Sequence, residues 1–93
     1  MEITLRFFAT FRLQVGEKEK KIQLSAKATV QEALDKAQTF LKDELNHKLL
    51  KVLVNGRNIE WLDGLTTQLT DGDVVAIIPP VFGGKDEINW LGS

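Results

Sequence analysis

Polar and apolar side chains alternate at the start of the chain. Glu2-Ile3-Thr4-Leu5-Arg6-Phe7 puts Ile3, Leu5 and Phe7 on one face of a strand and, by parity, Phe8 on the other. A polar break, VGEKEKK, follows, with Gly16 placed in a turn. Alternation resumes at Ile22 and Leu24, with Lys21 and Gln23 at the polar positions, so the first two strands are expected to pair antiparallel. From Thr29 the period changes. Val30, Ala33, Leu34, Ala37 and Leu41 recur at three- and four-residue steps, which line one face of a helix, and Phe40 and Leu45 extend that face. Thr29 with Glu32 has the spacing of a capping box, in which hydroxyl and carboxylate each satisfy an unpaired backbone N–H. The helix is expected to end at NHKLL.

KVLVNGRNIEW reads as a hairpin, because Asn55-Gly56 accepts the positive φ of a tight two-residue turn. Asp63-Gly64 and Asp71-Gly72 mark two more turns, with Leu65 and Leu69 expected to plug the core between them and Trp61 to cover a core edge. The last strand is Val74 to Ile78. Pro79 donates no ladder hydrogen bond, so the chain is expected to leave the sheet extended. The order strand, strand, helix, strand, short strand or turn, strand suits an α+β fold of β-grasp type, a mixed sheet with one main helix packed across it.

Composition narrows the function. With 93 residues, 43% of them hydrophobic, there is room for one domain with one modest core. A net charge of −1 with interspersed acids and bases offers no field to collect nucleic acid or anionic lipid. No apolar run approaches the roughly 20 residues of a membrane span, so a soluble cytoplasmic protein is expected. Cysteine is absent, which removes disulfides, thiol nucleophiles and thiolate metal sites together. His47, the single histidine, stands in a polar NHK setting and reads as solvated rather than as a metal ligand or catalyst. The acids Glu17, Glu19, Asp35, Asp43 and Glu44 lie among lysines, and turn chemistry accounts for Asp71 and Asp73. Nothing here builds a catalytic site or holds a metal or cofactor, and an enzyme acting alone is not expected.

The C-terminal PPVFGG is different. Pro79 and Pro80 stiffen the chain and project it from the body. Gly83 and Gly84 lack the Cβ that would jam a narrow channel, a combination suited to entering another protein's active site. FFATFR after the first strand, VLVNG at the hairpin and above all LTDGDVVAIIPPVFGG resemble the MoaD/ThiS family of ubiquitin-like sulfur carriers over residues 1–84, and the double proline before VFGG resembles its molybdopterin-synthase small-subunit branch.

The resemblance implies a carrier. The Gly84 carboxylate would be adenylated by a MoeB-like activating enzyme that consumes ATP, converted to a thiocarboxylate, and used in the MoaE-like large subunit of molybdopterin synthase for molybdenum or tungsten cofactor synthesis. Val81, Phe82 and Gly83 would thread the partner's channel with Pro79 and Pro80. Phe8 and Ile78 would be the exposed apolar docking residues, with Arg12 at their rim. Residues 85–93, KDEINWLGS, have no counterpart in the family pattern, and a carboxyl group held in the Gly84–Lys85 peptide bond cannot be adenylated. Either a processing protease removes the tail, or the tail serves another function, or part of it, such as Gly92-Ser93, is a cloning remnant. Ile88, Trp90 and Leu91 give it apolar side chains able to pack on the body or on a partner. Three functions stay open: sulfur carrier, protein modifier joined through Gly84 to lysines, and unprocessed ubiquitin-like interaction module.

Overall fold

The computed structural model describes residues 1–42 and 44–80. Five strands form one mixed sheet: β1 (Glu2–Phe7), β2 (Glu19–Gln23), β3 (Lys51–Val54), β4 (Arg57–Asn58) and β5 (Val74–Ile78), in the order β2-β1-β5-β3-β4. β1 pairs antiparallel with β2 and parallel with β5, while β3 runs antiparallel to both β5 and β4. The inward residues are those the alternation selects: Ile3, Leu5 and Phe7 from β1, Ile22 from β2, Val52 and Val54 from β3, Val75 and Ile77 from β5. The helix α2 (Val30–Gln38) lays Val30, Ala33, Leu34 and Ala37 into the same buried cluster. The β-grasp arrangement expected from the sequence is the one observed.

Four local features depart from the sequence reading. A second helix, α1 (Ala9–Val15), lies between β1 and β2. At seven residues it is too short to display a period, and Phe11 is its one buried side chain. Gly16 closes it at φ +82°, giving its N–H to the Arg12 carbonyl, so this glycine is a helix C-cap rather than a hairpin turn.

Thr29 does occupy the N-cap of α2, but its hydroxyl makes no capping bond. Backbone from elsewhere does that work: the Val30 N–H donates to the Thr67 carbonyl at 3.0 Å, and the Leu69 N–H donates to the Ala28 carbonyl at 2.9 Å. The Thr67–Leu69 segment is thereby stitched to the start of α2, and one of the helix's free N–H groups gains a partner.

α2 also stops earlier than the apolar spacing suggests. The Thr39 hydroxyl bonds back to the Lys36 carbonyl, and the Phe40 N–H reaches only to Ala37, tightening the last turn. Leu41 and Leu45 are buried from the connection instead, with the Leu45 N–H held by Gln38 Oε1 at 2.7 Å. Leu24 likewise falls just past β2 and is half-buried against the core.

Trp61 does not cover a core edge; it is 83% exposed. Asn58 Oδ1 accepts from the Glu60 N–H and starts a 3₁₀ turn over Ile59–Trp61, which buries Ile59 and breaks the alternation before the indole. Leu69 is buried and Leu65 packs half-buried on the core, as the turn signals around them imply.

Candidate functional site

Because β1 and β5 are parallel neighbours, with Phe7 level with Ile77, both strands end at the same edge of the sheet. From one the chain enters α1 through Phe8; from the other it passes through Ile78 to Pro79 and Pro80. Residues far apart in sequence are thus delivered to one end of the domain. Phe8 is 39% exposed, Ile78, Pro79 and Pro80 are half-buried, and Arg12 is exposed one helical turn beyond Phe8, whose carbonyl accepts its N–H at 3.4 Å. Phe8 does not gain this exposure by strand parity, since β1 ends at Phe7; it is the extended N-cap of α1.

The sheet face turned away from α2 carries an apolar stripe that leads to this end. β5 places Val75 and Ile77 inward, so Val74, Ala76 and Ile78 stand on the outer face, beside half-buried Leu53 of β3, which pairs with Ala76. The sequence signal for it was the unbroken apolar run VVAII, which marks a strand covered on both faces. Arg6 pairs with Ala76 from the other side, its Nε and Nη2 donating to Glu19 Oε2 at 2.8 and 2.6 Å. The stripe therefore has a polar border and an apolar centre, the make-up of a protein-docking surface.

The Asn55-Gly56 turn fixes the other end of β5. Both residues have positive φ, +52° and +84°, as a two-residue turn of the primed type requires. Asn55 also reaches across to β5: its Oδ1 accepts from the Val74 N–H at 2.9 Å, and its Nδ2 donates to Asp73 Oδ1 at 2.9 Å. Asp73 further accepts from the Thr70 N–H and the Thr70 hydroxyl. Burial alone would push the Asp73 carboxyl up, but the bonds from the Thr70 N–H, the Asn55 amide and the Thr70 hydroxyl outweigh it and hold the pKa below its ordinary value of 3.8. A carboxylate whose pKa is depressed on folding stabilises the fold fully above its unfolded pKa, and that contribution disappears as pH falls through the folded value. Urea midpoints are expected to drop on the acid side of about pH 4 in the wild type and to drop less in Asp73→Asn, whose side chain does not titrate. Equal acid-side slopes in the two proteins would remove Asp73 from the account.

The remaining candidates form no chemistry. Glu17 pairs with Lys20, Glu19 with Arg6, and Asp35 accepts from Gln31. Among the described residues no group of three histidine, aspartate or glutamate side chains is arranged to hold a metal, and no helix is long and apolar enough to cross a membrane. Val81, Phe82, Gly83, Gly84 and the tail with Ile88, Trp90 and Leu91 lie outside the described residues, as does Asp43.

Residues 5–84 match the model of the ThiS family. The chain belongs to the ThiS family. Its members are small ubiquitin-like carrier proteins without catalytic activity of their own. It is 40% identical over 92 residues to small archaeal modifier protein 3 of Haloferax volcanii, a match covering 90% of this chain and all of that one. A Haloferax volcanii protein solved in solution superposes with a TM-score of 0.77 at 41% identity, covering 90% of this chain and 87% of the other. A chain in the complex of subunits 1 and 2 of the Helicobacter pylori molybdopterin-converting factor superposes with a TM-score of 0.60 at 29% identity, covering 90% of this chain and 100% of its own. The family expected from the motifs is established, whereas these relatives span modifier and molybdopterin branches and do not single out the second.

Proposed function

We propose that this ThiS-family chain is a ubiquitin-like protein modifier that acts through the carboxyl group of Gly84 after residues 85–93 are removed by a protease. What carries the modifier assignment is the 40% identity along the whole length of small archaeal modifier protein 3. The family match ends on Gly84, which supports that residue as the working terminus.

The chemistry balances without a side chain from this protein. The freed carboxylate attacks the α-phosphorus of ATP in an activating enzyme, giving an acyl adenylate and releasing pyrophosphate. A lysine amine then attacks the acyl carbon, loses a proton and expels AMP, leaving an isopeptide bond.

A second reading shares the first step. Sulfide in place of the amine expels AMP and leaves a thiocarboxylate, which the large subunit of molybdopterin synthase would use. Its support is the likeness to a subunit of the Helicobacter pylori molybdopterin-converting factor, itself solved as a two-subunit complex. Peptide mass spectrometry of a cell extract decides between them: lysines carrying a Gly83-Gly84 remnant support the modifier, and a Gly84 thiocarboxylate with no modified lysine overturns it.

In either reading the docking end comprises Phe8, Arg12, Ile78, Pro79 and Pro80. Phe8→Glu and Ile78→Glu are each expected to weaken binding to the activating enzyme by about tenfold or more, because the new charge must be desolvated without a partner at an apolar contact. Calorimetric titration measures the affinity, and circular dichroism shows that both variants stay folded, since neither residue is part of the buried cluster. Unchanged affinity in both would place docking elsewhere.

A further inference from the structure

Beside the chain's exit from the sheet lies an open cleft of about 580 Å³, between α1 and the segment that leads into β3. Its apolar wall is built from Phe11, Leu45, Leu49, Leu50, Pro79 and Pro80. Leu49 is 52% exposed there, and Leu50 is half-buried beside it. The volume falls within the roughly 300–1,000 Å³ of ordinary binding clefts, so it admits large side chains. Among the described residues no metal-holding cluster lines it.

We propose that this cleft is the seat of the chain's own segment Ile88–Leu91. Two observations select that occupant. The described backbone ends at Pro80 on the wall of the cleft itself, so the residues that follow start next to it. Among the last nine residues, the polar run Lys85-Asp86-Glu87 gives way to Ile88, Trp90 and Leu91, an apolar group in an otherwise polar tail. Ile88 lies eight residue steps beyond Pro80, a reach of up to about 26 Å at roughly 3.3 Å per residue, ample for the chain to turn back over a cleft it already borders. Tethering holds such a segment at an effective concentration on the order of millimolar, so modest intrinsic affinity fills the site.

The seat has a consequence for processing. While the segment is docked, Trp90 and Leu91 cover the apolar wall beside Pro79 and Pro80. Cleavage after Gly84 detaches the occupant, and the wall becomes available at the same end of the domain as Phe8 and Ile78. The proposal concerns where the tail sits and does not depend on where the Gly84 acyl group goes.

Tryptophan fluorescence tests it. In Trp61→Phe, which changes a side chain 83% exposed, Trp90 is the sole tryptophan. Its emission is expected to lie to the blue of the same protein in urea and to resist acrylamide quenching, independent of protein concentration. Adding Leu49→Glu is expected to shift the emission to the red and remove the protection, while the circular dichroism spectrum stays that of the folded domain.

Solvent-exposed Trp90 emission in the folded Trp61→Phe protein overturns the proposal, as does a blue shift that disappears on dilution, which would seat the tail on a second copy. A blue shift that survives Leu49→Glu places the seat elsewhere and also overturns it. If Leu49→Glu fails to fold, the double variant Trp90→Lys, Leu91→Lys replaces it in nuclear magnetic resonance. Amide shifts of Phe11, Leu49 and Leu50 are expected to differ from those of the unsubstituted chain, and their failure to move overturns the proposal.

Discussion

A chain ending at Gly84, mixed with its activating enzyme and ATP, is expected to form an acyl adenylate and release pyrophosphate, whereas the full 93-residue chain releases none. The difference should be all or none, because it concerns bond order rather than affinity. Gly84 in the long chain is an amide carbonyl with no free carboxylate oxygen to attack phosphorus. Docking differs in degree only, since Phe8, Arg12 and Ile78 are open in both chains while the seated tail covers the wall beside Pro79 and Pro80 in the long one. Titration should therefore show both chains binding the enzyme while pyrophosphate release separates them.

With a sulfide donor present, the short chain should gain the mass of one sulfur-for-oxygen exchange at its terminus. With a lysine-bearing acceptor, it should form an isopeptide. Adding a protease that cuts after Gly84 should convert the inert chain into the active one. Pyrophosphate release by an intact chain, checked by mass to retain Ser93, would sink the assignment of Gly84 as the working terminus. So would silence from a short chain that demonstrably binds the enzyme.

The proposal of that terminus comes from sequence alone, because it rests on covalent facts. Prolines restrict φ and glycines lack Cβ wherever they stand, so PPVFGG carries its meaning without its surroundings. The sheet was legible for a related reason: alternation over Ile3, Leu5 and Phe7 is a local consequence of a long-range burial, and the buried side chains match it. The features without a sequence signal are decided by neighbours distant in sequence, by segments too short to show a period, or by single local hydrogen bonds.

The N-cap hydroxyl of Thr29 makes no capping bond, and the helix start is held instead by the Thr67 carbonyl, which arrives from 37 positions along the chain to take the Val30 N–H. α1 escaped because its seven residues expose Leu13 and bury only Phe11, which leaves no periodic stripe to detect. Trp61 was misplaced because a side-chain acceptor three residues earlier, Asn58, converts the strand into a 3₁₀ turn. At the proposed docking end, Phe8 and Ile78 are expected from motif position, but their placement at one edge of the sheet depends on the parallel pairing of β1 with β5, which no local pattern encodes.

The same distinction shapes the largest stability effect expected from a single substitution outside the core, at Asn55. Sequence marks Asn55 as a turn residue, and the structure adds that its side chain ties the hairpin to the start of β5. Asn55→Ala removes an acceptor from the Val74 N–H and a donor from Asp73, each worth about 1 kcal/mol net. It also holds alanine at φ +52°, which costs a further 1–2 kcal/mol or so. A loss of about 3 kcal/mol in urea unfolding is expected, with an unchanged slope.

Asn55→Gly separates the two causes, since glycine accepts the positive φ at no steric cost but restores neither bond; it should lose roughly 2 kcal/mol. Gly56→Val tests the turn alone. No heavy atom lies within 4 Å of a Cβ at that position, so space is not limiting, and its cost of about 1–3 kcal/mol comes from φ +84° imposed on a β-branched residue. The Asp73 carboxylate adds an internal check. With Asn55 gone, one of the bonds that depress its pKa is gone too, so Asn55→Ala should lose less stability on acidification than the wild type does. If Asn55→Ala and Asn55→Gly unfold at the same urea concentration, backbone strain plays no part. If both match the wild type, the tie between the hairpin and β5 contributes nothing to the fold.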